Sequence, residues 1–240
     1  MINSSNISTN YDDKIAAIYG NRENIDTGLL AYRDLPTLLL KSDPTSKALD
    51  FGCGTGFSSN ILAQAGFQVV GADINPNMLR EAKKQHPHIE FIELRTEILP
   101  FKENEFDLIL GAFVFLEMDS KAAMVKVLGN LRKIIKNNGQ LVILTTSEHF
   151  PKNNWLTAQN DTERNKNIKC GENYQVKDTS NNMVFSDFFY SDQTYRNALR
   201  EAGFNVSELY QPLGKISDKI SWALEWKLPP YSIYICSPCE

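Results

Sequence analysis

The sequence has no long apolar run and no block of positive charge. No stretch is apolar enough for a membrane span, and the first residues, Met1-Ile2-Asn3-Ser4-Ser5, lack the charged and apolar regions of a signal peptide. We therefore expect a cytoplasmic protein that does not bind membranes. With a net charge of −4 and no Lys/Arg cluster longer than two residues, the chain lacks the basic patch typical of nucleic-acid binding. No nucleic-acid partner is expected.

Cysteine and histidine are also scarce, with four and three residues. The pair Cys236-Ser237-Pro238-Cys239 has the spacing of a redox site or of half a zinc site. A zinc site needs about four ligands, and the sequence offers no second Cys-x-x-Cys and no histidine near this pair. We expect reduced thiols and no metal site.

The length and composition indicate one large domain. The 240 residues are 42% hydrophobic and 22% charged, which is ordinary for a globular protein. We expect residues 1–10, rich in Asn, Ser and Thr, to be disordered, and residues 11–240 to form a single domain. Two helical stretches within 11–40 would cap this domain. Residues 147–190 form a polar, Asn-rich insertion, which we expect to be a lid or a binding loop, or else a surface excursion.

Apolar strands alternate with helices from residue 47 onward. Helices are predicted at 57–65, 76–85, after Ser120 and from Asp192, with a turn at Asn137-Asn138-Gly139. This alternation predicts a doubly wound parallel sheet with ligands at the carboxyl ends of its strands. The predicted strands lie at 47–51, 67–72, 90–94, 106–110, 141–144, from Phe204, and at 231–236.

A glycine loop follows the first predicted strand. Asp50 precedes Gly52, Gly54 and Gly56, and Asp73 ends the second strand. Glycines at this spacing let the backbone turn sharply and approach a ligand, and the next helix points its free N–H groups at that ligand. Asp73 is placed to accept hydrogen bonds from ribose hydroxyls. The pattern predicts a site for a nucleoside-containing cofactor.

The glycine spacing disfavours a dinucleotide. The G-x-G-x-x-G fingerprint needs a small residue at position 57 or 59, where Phe57 and Ser59 stand. Asp50, two residues before the first glycine, suits an amino group better than a pyrophosphate. An NAD-dependent dehydrogenase is therefore a weaker interpretation.

With these residues the chain resembles the class I S-adenosylmethionine (SAM)-dependent methyltransferases, small-molecule branch, from about residue 11 to the C-terminus. The resemblance implies an α/β, Rossmann-like doubly wound sheet of seven strands, mostly parallel with the last strand antiparallel. It also implies SAM as cofactor and S-adenosylhomocysteine as product.

The resemblance assigns roles around the cofactor. The loop with Gly52, Gly54 and Gly56 would pass under the methionyl and ribose parts, and Asp73 would bind the ribose. Asp50 would face the methionyl ammonium, directly or through water, or cap the turn, and the two roles are compatible. Ile74 would pack on the adenine with Met78 nearby, the carbonyl of Gly111 would accept from the methionyl ammonium, and Phe113 would line the methyl path. Tyr11, Tyr19 and Arg33 are candidates for closing the site, with Arg33 pairing with the methionyl carboxylate. A solvated face or packed tyrosines are the alternative for these three.

One position departs from the family pattern. Arg95 stands where the family has an Asp that accepts from the adenine amino group, and an arginine cannot accept a hydrogen bond. Adenine would then be read by Glu97 or by the backbone of Thr96 to Ile98, or Arg95 would stack on it. A weak adenine contact is the further alternative.

Methyl transfer from SAM depends on the orientation of the reactants more than on a pair of catalytic residues, because the sulfonium already activates the methyl group. Glu117 and His149 follow the fourth and fifth strands, and we expect both to face the pocket, His149 as a base. The Asn/Asp-Pro-Pro-Tyr run of DNA and protein amino methyltransferases is replaced by Gly111-Ala112-Phe113-Val114. We therefore expect a small-molecule acceptor. The alternatives are a non-catalytic SAM-binding regulator and a methyltransferase that acts on a macromolecule through a partner subunit.

Overall fold

The computed structural model describes residues 12–20, 26–95 and 99–239. The predicted disorder of residues 1–10, and Tyr11, lie outside these ranges. Within them the chain forms ten strands, which are β1 (Lys47–Phe51), β2 (Gln68–Asp73), β3 (Glu90–Glu93), β4 (Phe106–Ala112), β5 (Ile135–Thr146), β6 (Ala158–Asn160), β7 (Asn173–Asp178), β8 (Met183–Phe188), β9 (Phe204–Tyr210) and β10 (Tyr231–Pro238).

Seven of these strands form the main sheet, in the order β3-β2-β1-β4-β5-β10-β9. Neighbours from β3 to β5 are parallel, whereas β10 runs antiparallel to both β5 and β9. The predicted fold class is therefore confirmed. The carboxyl ends of β1, β2, β4 and β5 meet at one edge, where the order reverses between β1 and β4.

Helices cover both faces of this sheet, as the alternation predicts. Alternate residues of each central strand face opposite ways, so Leu108 and Leu110 of β4 join one apolar cluster and Ile109 joins the other. The α-helices of the described residues are α1 (Asp13–Gly20), α2 (Leu29–Tyr32), α3 (Leu35–Leu38), α4 (Phe57–Gln64), α5 (Pro76–Gln85), α6 (Lys121–Ile134), α7 (Thr162–Asn165) and α8 (Asp192–Glu201).

Two local predictions are wrong. The expected long helix from Asp26 to Leu40 is two single turns, α2 and α3, because Pro36 lies in the first turn of α3 and starts a new helix there. The expected separate turn at 137–139 lies inside β5, which begins directly after α6. The register with β4 shifts there, from Phe106 opposite Ile135 to Leu108 opposite Gln140.

The insertion at 147–190 forms a second, three-stranded antiparallel sheet of β6, β7 and β8. Along β7, Tyr174, Val176 and Asp178 are buried and the residues between them are exposed. This period-2 alternation gives the hairpin an inner face that can pack on the main domain. The insertion is thus an ordered structure rather than a loop.

A buried carboxylate joins three distant segments. Glu225 is fully buried, and its Oε1 accepts hydrogen bonds from the Thr27 hydroxyl and the Leu156 amide, both at 2.8 Å. Its Oε2 accepts from the amides of Ala223 and Leu224 at 3.0 Å. Glu225 therefore links the N-terminal cap, the insertion and the chain before β10.

We expect Glu225→Ala to lower the free energy of unfolding by about 3 kcal/mol, because it leaves several buried donors without an acceptor. Urea unfolding followed by circular dichroism measures the change. Glu208→Ala, an exposed glutamate on β9, is the control and should stay within about 0.5 kcal/mol of wild type. Equal unfolding midpoints for the two variants would contradict this role of Glu225.

Candidate functional site

A cavity of about 340 Å³ lies at the carboxyl ends of the parallel strands. It is enclosed by the cap, the glycine loop, the segment after β4 and the inner face of the insertion. Its lining residues include Tyr19, Thr27, Tyr32, Gly52, Gly54, Asp73, Ile74, Met78, Phe113, Glu117, Thr146, Phe150, Asp178, Phe185, Asp187 and Tyr231.

The glycine loop turns as the sequence predicts. Gly52, Gly54 and Gly56 have φ of 74°, 51° and 86°, in the left-handed region that favours glycine. A Cβ on Gly52 would lie 2.2 Å from Val114 Cγ2, whereas a Cβ on Gly54 would meet nothing within 4 Å. The backbone at Gly54 thus borders open space in the cavity wall, where a ligand can approach it.

Asp73 holds this loop in place. Its Oδ2 accepts from the amide of Gly54 and its Oδ1 from the amide of Asn75, both at 2.8 Å. Burial raises the pKa of Asp73, although these amide hydrogen bonds oppose the shift. A carboxylate oriented in this way, at the end of β2 and on the cavity wall, can accept further hydrogen bonds from a ligand's hydroxyls.

Asp50 lies behind the loop and does not line the cavity. Its Oδ2 accepts from the hydroxyls of Ser58 and Ser59 at 2.7 and 2.5 Å, so it fixes the start of α4 to β1. Its Oδ1 is buried without a hydrogen-bond partner among the described residues. Burial raises the pKa of Asp50 to about 6. Of the two interpretations from the sequence, the structure shows Asp50 supporting the turn.

The cavity brings together eight of the predicted residues. The expected position at the pocket is therefore observed for Tyr19, Gly52, Gly54, Asp73, Ile74, Met78, Phe113 and Glu117. Gly56 is the N-cap of α4 and does not line the cavity. Thr96, Glu97 and Ile98 lie outside the described residues.

Arg33 lies elsewhere than expected. Its guanidinium forms ion pairs with Asp34 at 2.6 Å and with Asp218 at 2.8 Å, and it does not line the cavity. Because these two carboxylates already neutralise it, the expectation that Arg33 faces the cofactor is wrong. Arg95 also points away, since its side chain is 77% exposed and pairs with Glu93.

His149 and Gly111 also differ from the prediction. His149 is exposed, because the 3₁₀ helix Phe150–Lys152 turns Phe150 inward to stack on Trp155 and Tyr231. Gly111 is buried within β4, where a Cβ would lie 2.8 Å from the Phe115 ring. The following residues, Ala112 and Phe113, reach the cavity in its place.

Phe113 has an unusual backbone. Its φ of 59° is rare for a bulky residue, and a 2.8 Å hydrogen bond from its amide to the Leu144 carbonyl helps to hold it there. The ring packs edge-on against Tyr32 and Tyr231, with centroids 6.2 and 5.4 Å away. Strain of this kind is concentrated at functional sites. The conformation fixes an aromatic wall beside the glycine loop.

Residues of the insertion were missed by sequence reasoning. Phe185 and Asp187, on the inner face of β8, line the cavity, and Phe185 contacts the ring of Tyr19. Burial raises the pKa of Asp187 to about 7, against a hydrogen bond from Tyr174. In the structure Val184 and Ser186 are exposed and Phe185 and Asp187 are turned inward, but the sequence here shows no alternation of apolar and polar residues that could have predicted it.

Two negative findings apply to the described ranges. They hold no group of three or more His, Cys, Asp or Glu side chains that could bind a metal ion. They also contain no helix with the length and hydropathy needed to cross a bilayer.

The raised pKa values of Asp50 and Asp187 predict a pH dependence of stability. Each carboxyl binds its proton more tightly in the folded chain than in the unfolded chain, so stability falls as pH rises from about 4 through 7. We expect the free energy of unfolding without ligand to be about 4 kcal/mol lower at pH 8 than at pH 5. Urea unfolding at both pH values tests this.

The variant Asp187→Asn should reduce this difference, because the amide does not titrate. Asp119→Asn, which changes an exposed carboxylate outside the cavity, should leave it unchanged. If the free energy of unfolding rises between pH 5 and pH 8, the two buried carboxyls do not determine the pH dependence of stability.

Comparisons of the sequence with known proteins find methyltransferases. Residues 48–139 match the family model described as a methyltransferase domain. An uncharacterised methyltransferase of Synechocystis is 34% identical over 125 residues, which are 52% of this chain and 57% of that protein. The N-demethylindolmycin N-methyltransferase of Streptomyces griseus is 25% identical over 180 residues, 72% of this chain and 76% of that protein. The chain thus spans little more than half of the first of these relatives.

Solved structures share the fold over most of the chain. A crystal structure described as an S-adenosylmethionine-dependent methyltransferase from Mesorhizobium loti superimposes with a TM-score of 0.64 at 17% identity, over 88% of this chain and 98% of that one. Residues 48–139 are thus similar to a methyltransferase domain, and the chain has the Rossmann-like fold of the class I methyltransferases, as the resemblance implied.

Proposed function

We propose that this protein is a SAM-dependent methyltransferase that acts on a small-molecule acceptor. The observation that carries the proposal is the arrangement of Asp73 and the glycine loop on one cavity wall. Asp73 is held by the amides of Gly54 and Asn75, and Gly54 opens onto free space beside it. This arrangement suits a ribose and the chain attached to it.

The residues present fit SAM. Asp73 would accept from the ribose hydroxyls, while Gly52 and Gly54 would let the methionyl part lie against the backbone. Ile74 and Met78, which follow β2 on the cavity wall, would pack on the adenine. Because Arg95 points to solvent, adenine would be held by these apolar contacts among the described residues, and recognition by Glu97 or by the backbone of Thr96 to Ile98 stays a prediction.

SAM supplies a methyl group that its positively charged sulfur already activates. The protein then has to orient the acceptor and exclude water, which can contribute about 7–11 kcal/mol to the barrier reduction. The aromatic wall of Tyr32, Phe113 and Tyr231 is suited to both tasks. Glu117 adds a carboxylate on the same cavity wall.

The size of the cavity supports a small acceptor. Residues of the cap and of the insertion line a cavity of about 340 Å³ at the carboxyl ends of the strands, which is space for a small molecule. The name of the Streptomyces griseus relative, an N-methyltransferase of a small molecule, agrees with this proposal.

Calorimetric titration with SAM, S-adenosylhomocysteine and NAD tests the cofactor. We expect micromolar binding of the first two and no binding of NAD. Asp73→Ala should weaken S-adenosylhomocysteine binding about 100-fold, because two ligand hydroxyls lose their acceptor. Asp73→Asn keeps the shape of the side chain but not its charge, and it should also bind S-adenosylhomocysteine more weakly than wild type.

The control for these titrations is Asp119→Asn, which should bind like wild type. Circular dichroism of each variant checks that the fold persists. Wild-type affinity in Asp73→Ala would overturn the cofactor model. Binding of SAM without methyl transfer to any acceptor in a labelled-methyl screen would favour the regulatory alternative.

A further inference from the structure

Beyond Asp73, the cavity has carboxylates that the cofactor model does not use, and one of them is Asp187. It lies on the inner face of β8 in the insertion and lines the cavity. Asp187 is opposite Tyr174 in the pairing of β7 with β8, and the two side chains interact. The Tyr174 hydroxyl lies 3.2 Å from the hydroxyl of Thr146 at the end of β5.

Tyr174 connects Asp187 to the end of β5. Its hydroxyl hydrogen-bonds to that of Thr146, and either hydroxyl can be the donor. Tyr174 is only 1% exposed, and its interaction with the carboxylate opposes the raised pKa of Asp187. The buried Tyr174 ring is thus a fixed neighbour of Asp187.

The contacts of β7 place Asp187 away from the proposed ribose position. Tyr174, its partner on β7, contacts Thr146 at the end of β5, and β5 is separated from Asp73 at the end of β2 by strands β1 and β4. Three strand spacings correspond to about 14 Å across the sheet. Asp187 therefore belongs to the part of the cavity beyond the glycine loop, where an acceptor would bind.

The walls of the cavity have one sign of charge. The charged lining residues among those described are all acidic, namely Asp73, Glu117, Asp178 and Asp187. Asp178 is occupied in the β7–β8 turn, where it accepts from Ser180 and Asn181. The other walls are largely aromatic. Such surroundings repel a carboxylate or phosphate and attract an ammonium, which also interacts favourably with ring faces.

We propose that Asp187 binds the acceptor as a protonated amine and takes up one of its protons before methyl transfer. The proton leaves the ammonium nitrogen and binds a carboxylate oxygen of Asp187, while the nitrogen keeps the electron pair and becomes a neutral nucleophile. Tyr174 is a positioning residue for this carboxylate. This inference rests on the proposed function, and it narrows the acceptor to an amine.

Binding of size-matched probes tests this proposal without catalysis. Benzylamine, benzyl alcohol and benzoate differ in charge but little in size, and each is titrated into protein saturated with S-adenosylhomocysteine. We expect benzylamine to bind about tenfold more tightly than benzyl alcohol, as one charge-assisted hydrogen bond allows. Benzoate should not bind.

Asp187→Asn should lower benzylamine affinity about tenfold, to that of the alcohol. The matched control is Asp119→Asn, outside the cavity, which should keep the preference for the amine. Glu117→Gln tests whether the other carboxylate in the cavity is responsible instead. Loss of the preference in Glu117→Gln but not in Asp187→Asn would overturn the assignment.

The pH dependence gives a second readout. The titratable groups that interact with Asp187 are Tyr174 from β7 and, at longer range, Tyr195 from α8, and Glu117 lines the same cavity. With a pKa of about 7, Asp187 should lose its affinity for benzylamine as pH falls through 7. Tyr174→Phe removes the hydroxyl whose interaction with the carboxylate lowers its pKa, and should move this midpoint to higher pH. An unchanged midpoint would refute the positioning role.

Failure of this proposal can be told apart from failure of the cofactor model. If S-adenosylhomocysteine binds the wild type and Asp187→Asn equally well but the amine has no advantage, only the assignment of Asp187 is wrong. If S-adenosylhomocysteine does not bind the wild type, the proposed function itself fails.

Discussion

The two amide hydrogen bonds accepted by Asp73 are the interaction on which the site depends. They join the end of β2 to the glycine loop after β1, and so fix the edge where the strand order reverses. The same carboxylate remains on the cavity wall, because backbone amides rather than side chains hold it. Its position is therefore independent of side-chain rotamers elsewhere. A ligand hydroxyl meets an acceptor that folding has already oriented, which reduces the entropy cost of binding.

The other half of the cavity depends on a different constraint. The insertion, the cap and the segment before β10 meet at Glu225, which is fully buried and accepts from Thr27, Leu156 and the chain before β10. A buried acceptor shared by three segments makes their positions depend on one another. The aromatic wall and Asp187 belong to these segments or contact them. The acceptor side of the cavity is thus as well defined as the cofactor side, although it is built from parts far apart in the sequence.

The difference between these two halves explains what the sequence could predict. The glycine loop and Asp73 depend on local backbone geometry, which the pattern of glycines and acids encodes directly. Arg33, in contrast, pairs with Asp218, 185 residues later, and no local pattern predicts that contact. His149 was expected to face the pocket, but burial of the adjacent Phe150 turns it outward. Asp187 was missed because its direction depends on the pairing register of β8 with β7, which sequence alone left undefined.

Charge connects the two halves. Asp73 and Asp187 line the cavity, Asp50 lies behind its wall, and burial raises the pKa of all three, so their ionised forms are in an unfavourable environment. A ligand with positive charge relieves this cost, because an opposite charge favours the ionised form of each carboxylate. In the proposed reaction, the cofactor loses its positive sulfur when the methyl group leaves. The electrostatic attraction that favours SAM binding would then be weaker for S-adenosylhomocysteine. The same carboxylates that favour SAM binding would therefore also favour replacement of S-adenosylhomocysteine by SAM.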